Sequence, residues 1–228
     1  MLTYTFQFGD VWRSFDELLW GAVLTVELST GALIFGLILA IVCCYGRMAW
    51  PRFAGPVVGG YVEAIRNTPL LVQVFLIFFG LPSAGVRMSA DQAALLALTV
   101  NFGAYATEIL RSGIESVPPG QVEAGLALGL KPWQVFCKIV LFQALRVVFP
   151  ALASQFILLL LGSSLVSTIA ARELTAAAND IQSRTFRSFE VYLVVTAMYF
   201  GIASAFSALL EAIDRLVFHR QDKPRSAT

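Results

Sequence analysis

Five stretches of this chain carry no charged residue: 28–46, 67–86, 92–107, 147–171 and 191–210. Each is almost continuously apolar, without the strict alternation of a half-buried strand, and each runs for 16 to 25 residues. A helix needs about 20 mostly apolar residues to cross the hydrocarbon of a bilayer. The pattern predicts spanning helices at about 19–45, 57–81, 90–112, 140–166 and 189–213. Pro51, Gly55 and Pro56 punctuate the chain before the second, and Leu81, Pro82, Ser83, Ala84 and Gly85 form a short loop after it. The polar tail from Arg220, with Pro224, is expected to fray. An outer-membrane barrel is excluded, because it would show segments of about ten residues with alternating polarity.

Composition agrees with this reading. Of 228 residues 57% are hydrophobic and 14% charged, against roughly 25% charged in a soluble domain. The fold class is therefore an all-α integral membrane protein, with residues 1–228 as a single transmembrane domain of five helices. No repeat of 20 to 50 residues is visible, so a pseudo-symmetric transporter within one chain is not expected. Five helices make a small bundle, and an aqueous path would be lined more readily with a second copy or a homologue.

Charge placement orients the bundle. The net charge of +1 gives no case for nucleic acid. Arg13, Arg87, Arg172, Arg184 and Arg187 fall on one side of the membrane. Arg47, Arg52, Arg66, Arg111, Lys131, Lys138, Arg146, Arg215, Arg220, Lys223 and Arg225 fall on the other. Because loops rich in Lys and Arg stay inside, the N-terminus is expected outside and the C-terminus in the cytoplasm, as is the long loop at about 113–139. Met1 to Asp10 carry no basic stretch or cleavage site, so the first span is expected to act as its own insertion signal. Cys43, Cys44 and Cys137 read as inert apolar thiols.

Polar residues inside the spans are the first candidates for chemistry. Glu63 and Arg66 are three residues apart on one helix face and can neutralise each other, with Thr68 and Pro69 directly after. Proline kinks the helix and frees a carbonyl that Thr68 or another chain could satisfy. Two readings stay open here: a broken helix beside a substrate path, or a structural ion pair at a packed kink. Glu27, Gln73, Asn101, Tyr105, Gln155, Ser163 and Ser164 complete the set. Glu27 must face a cavity, a partner or the headgroup region, since an unpaired carboxylate in lipid costs a few kcal/mol or more. The serines can equally bond to their own preceding turn.

The loop at 113–139 is the most informative segment. Pro118, Pro119 and Gly120 force a turn, Gln121 to Leu128 are good helix formers, and Gly129 with Pro132 supplies a stop. A helix of about two turns is too short to stand alone. Ala124, Gly125, Ala127 and Gly129 allow close approach, while Leu126, Leu128, Leu130 and Trp133 offer apolar knobs. That arrangement suits insertion into a groove of a peripheral protein; the alternative is an amphipathic loop on the membrane surface.

At these residues the chain resembles the membrane permease subunits of ATP-binding-cassette importers for polar amino acids. Their cytoplasmic pattern is Glu-Ala-Ala, three residues, Gly, nine residues, then Ile-x-Leu-Pro. This chain has Glu123, Ala124, Gly125, Gly129, Ile139 and Leu141 at that spacing, with Gly125 replacing an alanine and Phe142 replacing the proline. The likeness extends over Thr25 to Ser29, Tyr61 to Gln73, Asn101 to Tyr105 with Glu108, Gln143 to Arg146, and Ser183 to Phe186. The resemblance implies that the loop is a coupling helix gripped by an ATPase subunit through Glu123, Ala124, Gly125, Ala127, Gly129 and Trp133. It also implies a second permease, an extracytoplasmic solute-binding protein and a bacterial inner-membrane location.

No Gly-x-x-x-x-Gly-Lys-Ser/Thr stretch is present, so ATP and Mg are expected on the partner subunit and no cofactor, metal or catalytic residue on this chain. The candidate substrate path is Glu63, Arg66, Thr68, Asn101, Gln155, Ser163 and Ser164. Leu161 and Gly162 stand where relatives often carry a charged or amide pair, which leaves open a different cargo such as an osmolyte or an opine. A membrane-embedded enzyme lacks a cluster of nucleophile, base or metal ligands, with His219 as the only histidine. A channel or ion-coupled carrier would instead transport without ATP.

Overall fold

The structure is a computed structural model and describes residues 5–218. His219, Arg220, Lys223, Pro224 and Arg225 lie outside the described residues. A short helix α1 (Gly9–Arg13) leads at Ser14 into α2 (Phe15–Ala49). Then follow α3 (Ala54–Arg66), α4 (Leu70–Ser83) and α5 (Ala90–Glu115). After α6 (Pro119–Ala127), α7 (Pro132–Val135) runs through a π-helical turn, Phe136–Val140, into α8 (Leu141–Gly162) and a 3-10 turn, Ser163–Ile169. The last described elements are α9 (Leu174–Thr185) and α10 (Ser188–Val217).

Four continuous helical segments are long and apolar enough to cross a membrane: Phe15–Ala49, Ala90–Glu115, Pro132–Ile169 and Ser188–Val217. The bent pair α3 and α4 makes a fifth if counted as one span. The helices outrun the charge-free runs because charged residues at their ends reach the interface without breaking the helix. Helical structure also continues through Phe142, as the absence of a proline there allows.

The second span departs from expectation in degree. The sequence predicts a kink at Pro69, whereas α3 and α4 are separate helices meeting at 110°. Pro69 lacks an N–H and restricts Thr68 to extended geometry, so the ladder cannot pass through. It then serves as the N-cap of α4, with φ −65° and ψ 138°.

A seam of small residues between α2 and α5 forms the core. Ala32, Gly36 and Ala40 recur every four residues along α2 and are buried against Ala94, Ala97, Leu98 and Phe102. Spacing of this kind lets two backbones approach closely in lipid, where apolar side chains gain little from merely leaving the solvent. At Gly36 a Cβ would stand 2.8 Å from Phe102 and 3.2 Å from the Gly103 nitrogen. Ser89 and Gln92 close a reciprocal capping box that starts α5.

A second, smaller cluster at one end joins Val11 and Leu18 to Leu174, Ala178, Ile181 and Val191. It anchors α9 across the top of α2. By contrast, only 6% of the most apolar stretch of α10 is buried within this chain.

Candidate functional site

Three regions gather the polar residues of the bundle. The first is the elbow between α3 and α4. Breaking a helix leaves carbonyls of its last turn short of backbone partners, and here side chains bond to three in succession. Asn67 Nδ2 donates to the Glu63 carbonyl at 2.8 Å and Thr68 Oγ1 to that of Ala64 at 2.8 Å. Gln73 Nε2, reaching back from α4, donates to the Ile65 carbonyl at 2.8 Å and to the Thr68 carbonyl and hydroxyl at 3.0 Å each. Asn101 of α5 donates in turn to Gln73 Oε1 at 2.9 Å. Gln73 and Asn101 are both buried, so the amide pair ties the elbow to the central helix.

Of the two readings open at this elbow, the ion pair is not formed. Glu63 and Arg66 make no salt bridge among the described residues; both are exposed, and Arg66 instead stacks over the Tyr105 ring, 5.5 Å from its centroid. Three-residue spacing places them on one face, but the aromatic surface of α5 offers the guanidinium a competing partner. Thr68, Gln73 and Asn101 are brought together directly. Ser163 lies nearby, because Gly162 packs against the Leu70 side chain.

The hydroxyls of Ser163 and Ser164 turn back to the Leu160 and Leu161 carbonyls at 2.7 and 2.8 Å, the local bonding that serines adopt in apolar helices. Gln155, two turns earlier in α8, is half-buried and makes no hydrogen bond among the described residues.

The second region is a cavity of about 960 Å³ where α2 meets α9 and the segment 167–172. Glu17, Trp20, Glu27, Arg172 and Asp180 line it, so Glu27 does face a cavity, as its charge requires. Beside it is a network that the sequence did not reveal. Glu173, fully buried, caps α9 by accepting from the Thr175 and Ala176 amides and from the Tyr199 hydroxyl at 2.6 Å. Thr25 Oγ1 accepts the Leu174 N–H at 3.1 Å and donates to Gly21. Burial pushes the Glu173 carboxyl above its ordinary range, against the opposing pull of these donors. Glutamate is not a favoured N-cap residue, and the tyrosine that completes its network lies 26 positions away, so no local signal marked it.

The third region is α6 with the turn after it. The helix closes in a Schellman motif: the Leu130 N–H bonds to the Gly125 carbonyl and the Gly129 N–H to that of Leu126. Gly129 supplies the left-handed conformation this needs, with φ +79°. Glu123, Ala124 and Ala127 are exposed, and Leu128 and Trp133 keep 83% and 62% of their surface open. Gly125 departs from expectation. It is buried against this chain, where a Cβ would stand 2.8 Å from Ile139 and 3.1 Å from Val135. Its missing methyl thus seats α6 on the following helix, which a hydrogen bond from Gln143 Nε2 to Gln121 Oε1 reinforces at 2.7 Å.

No group of three or more His, Cys, Asp or Glu suited to a metal occurs among the described residues.

Residues 32–219 match the family described as "binding-protein-dependent transport system inner membrane component". The L-cystine transport system permease protein of Bacillus subtilis is 38% identical over 207 residues, covering 90% of this chain and 88% of its own. The glutamine transport system permease protein of Escherichia coli is 34% identical, covering 92% and 97%. The nopaline transport system permease protein of Agrobacterium fabrum is 36% identical, covering 87% and 86%. Among solved structures, an amino acid ABC transporter with histidines superposes with a TM-score of 0.86 at 35% identity, covering 93% of this chain and 100% of that one. The MetNI methionine ABC transporter shares the fold, with a TM-score of 0.69 at 20% identity.

Proposed function

Because the chain belongs to the family of binding-protein-dependent transport system inner membrane components, we propose that it carries a polar amino acid by alternating access, driven through α6 by a separate ATPase. As a member of that family it is a non-catalytic, multi-pass inner-membrane subunit of an ABC transporter complex. The observation that carries the coupling reading is the asymmetry of α6. Its inner face is seated on Val135 and Ile139, while Glu123, Leu128 and Trp133 are left open. A two-turn helix of this kind is held rigid by its own chain and still presents apolar knobs to a groove.

The excess of Lys and Arg at the α6 end supports a cytoplasmic position for that end and an outer position for α9. The 960 Å³ cavity then opens toward an extracytoplasmic solute-binding protein. ATP and Mg belong to the ATPase, and closure of its nucleotide sites would move two docked helices and rock two permease subunits between outward-open and inward-open states. Cargo would pass Glu63, Arg66, Thr68, Asn101, Gln155, Ser163 and Ser164, where a broken span supplies polar backbone in mid-bundle. The chemistry common to cystine and glutamine is an α-amino group beside a carboxylate. The nopaline relative supports a second reading, an amino-acid conjugate as cargo on the same machine.

The test is reconstitution with ATPase and binding protein, scoring ligand-stimulated ATP hydrolysis with single amino acids and with opines. Leu128→Glu and Glu123→Arg should leave the chain inserted and weaken ATPase binding at least tenfold, since burying a leucine is worth about 2 kcal/mol. Undiminished co-purification and uptake in both variants would remove α6 from the coupling role.

A further inference from the structure

Helix α9 stops at an unusual residue. Phe186 directly follows it in the left-handed region, with φ +56° and ψ +25°. Glycine is the common occupant of that position, since a side chain there crowds its own backbone. Among the described residues only Phe186 and Ala170 are non-glycine residues with positive φ, and for a bulky ring the conformation is an outlier. Packing does not explain it. Phe186 keeps 86% of its surface open and stacks on no other ring among the described residues.

Such a conformation persists only where the surroundings over-determine it, and both flanks of Phe186 are tied down. On one side the Phe186 N–H donates to the Gln182 carbonyl at 2.8 Å, and Arg184 Nη2 donates to Glu17 Oε2 of α2 at 2.6 Å. On the other, the Arg187 guanidinium donates to Gln7 Oε1 at 2.7 Å, while the Gln7 N–H donates to the fully buried Glu190 carboxylate at 2.9 Å. The ring is thus held outward by ties to α2 and to the residues before α1. Glu17 also lines the large cavity, so a partner gripping the ring sits close to that cavity.

Lipid is a poor match for this ring. Trp12 is exposed at the same end, and an indole carries the N–H that suits the headgroup level. A phenyl ring has no polar handle, and the neighbours Ser183, Arg184, Arg187 and Ser188 are all polar. An apolar knob on a fixed backbone, rimmed by polar residues, has the anatomy of an interface anchor, because little freedom remains to be lost on docking. The family to which the chain belongs is defined by its dependence on a binding protein.

We infer that Phe186 is the anchor on which the extracytoplasmic solute-binding protein docks, its ring entering an apolar pocket of that protein beside the cavity. The inference rests on the reading that α9 lies at the outer face.

The test is titration of the assembled transporter, in lipid nanodiscs, with its fluorescently labelled binding protein. Truncating a central aromatic anchor costs at least about tenfold in affinity. That loss is expected of Phe186→Gly, whereas Phe186→Tyr keeps most of the affinity. Glycine also relieves the left-handed backbone, so the same variant should melt no lower than the unmodified complex and up to about 4 °C higher. A ring needed for packing would not give a weaker complex from a chain at least as stable. Undiminished affinity in Phe186→Gly would overturn the anchor, and a lower Tm would make the ring a structural prop. Loss of permease pairing would assign it to the second permease subunit. Quenching of Phe186→Trp emission by brominated lipid without binding protein, beyond that of the unmodified complex, would place it in the bilayer. Labelling of Phe186→Cys by a membrane-impermeant thiol reagent, on intact cells lacking the binding protein and with the unmodified chain as blank, checks the orientation separately. No labelling sinks that orientation and the anchor together; labelling with undiminished affinity sinks the anchor alone.

Discussion

Replacing Gln73 with leucine tests whether the elbow of the second span is held by side-chain hydrogen bonds or by packing alone. The change conserves approximate volume and removes four links: the bonds to the Ile65 and Thr68 carbonyls, the contact with the Thr68 hydroxyl and the acceptor for Asn101. Each lost bond to a carbonyl costs about 0.5–1.5 kcal/mol, and leaving the buried Asn101 amide unpaired costs about 1–3 kcal/mol. The two carbonyl bonds and the Asn101 amide together come to about 4 kcal/mol, equivalent to a fall of about 8–16 °C in Tm for a chain of this size. Thermal unfolding in detergent, followed by tryptophan fluorescence or by loss of the monodisperse peak, reads the shift.

The partner change Asn101→Leu strips only one bond and should cost less. Because the double variant removes both ends of that bond, it should be less destabilised than the sum of the singles by about 1 kcal/mol. A Q73L protein melting within 2 °C of the unmodified chain, or singles that add without discount, would refute the clamp.

Two further outcomes follow from other parts of the bundle. Gly36→Leu drives a side chain into Phe102 and the Gly103 backbone, 2.8 and 3.2 Å from the new Cβ. It should cost at least about 3 kcal/mol and abolish a monodisperse peak in detergent, while Gly36→Ala should lose only part of the stability. Glu173 gives the fold a dependence on pH. Its carboxyl is raised in the folded state, so the folded chain holds the proton more tightly than the unfolded one. Its contribution is then complete below about pH 4.5 and falls as pH rises through the raised value. Thermal stability measured from pH 4 upward should decline more steeply in the unmodified chain than in Glu173→Gln, and parallel profiles would contradict this assignment.

The spans were legible because each is a charge-free run that admits hardly any other reading. Even so, their ends were not, since helical geometry continues into charged residues that snorkel. Pro69 announced a break, but not its angle. The 110° elbow depends on Gln73 reaching Asn101, 28 positions away, and no local pattern encodes that contact. Spacing alone could not decide between the two readings of Glu63 and Arg66, because the aromatic surface that Arg66 stacks on belongs to another helix. Gly125 looked like a loosened alanine; its role appears only when Ile139 folds beneath it. The exposed knobs of α6 were readable from the sequence because a two-turn helix with so many apolar residues cannot bury them all by itself.

The tight seam along Ala32, Gly36 and Ala40 bears on how such a bundle can change shape. Backbones packed this closely at Gly36, and spaced only by methyl groups at Ala32 and Ala40, cannot slide past one another without collision, so α2 and α5 should travel as one rigid body. Flexing is thereby confined to the parts gripped less firmly: the hinge at Asn67 to Pro69, and the loosely attached α10. A label pair bridging the first and third spans should report a fixed separation throughout a working cycle, with the movement found at those two margins.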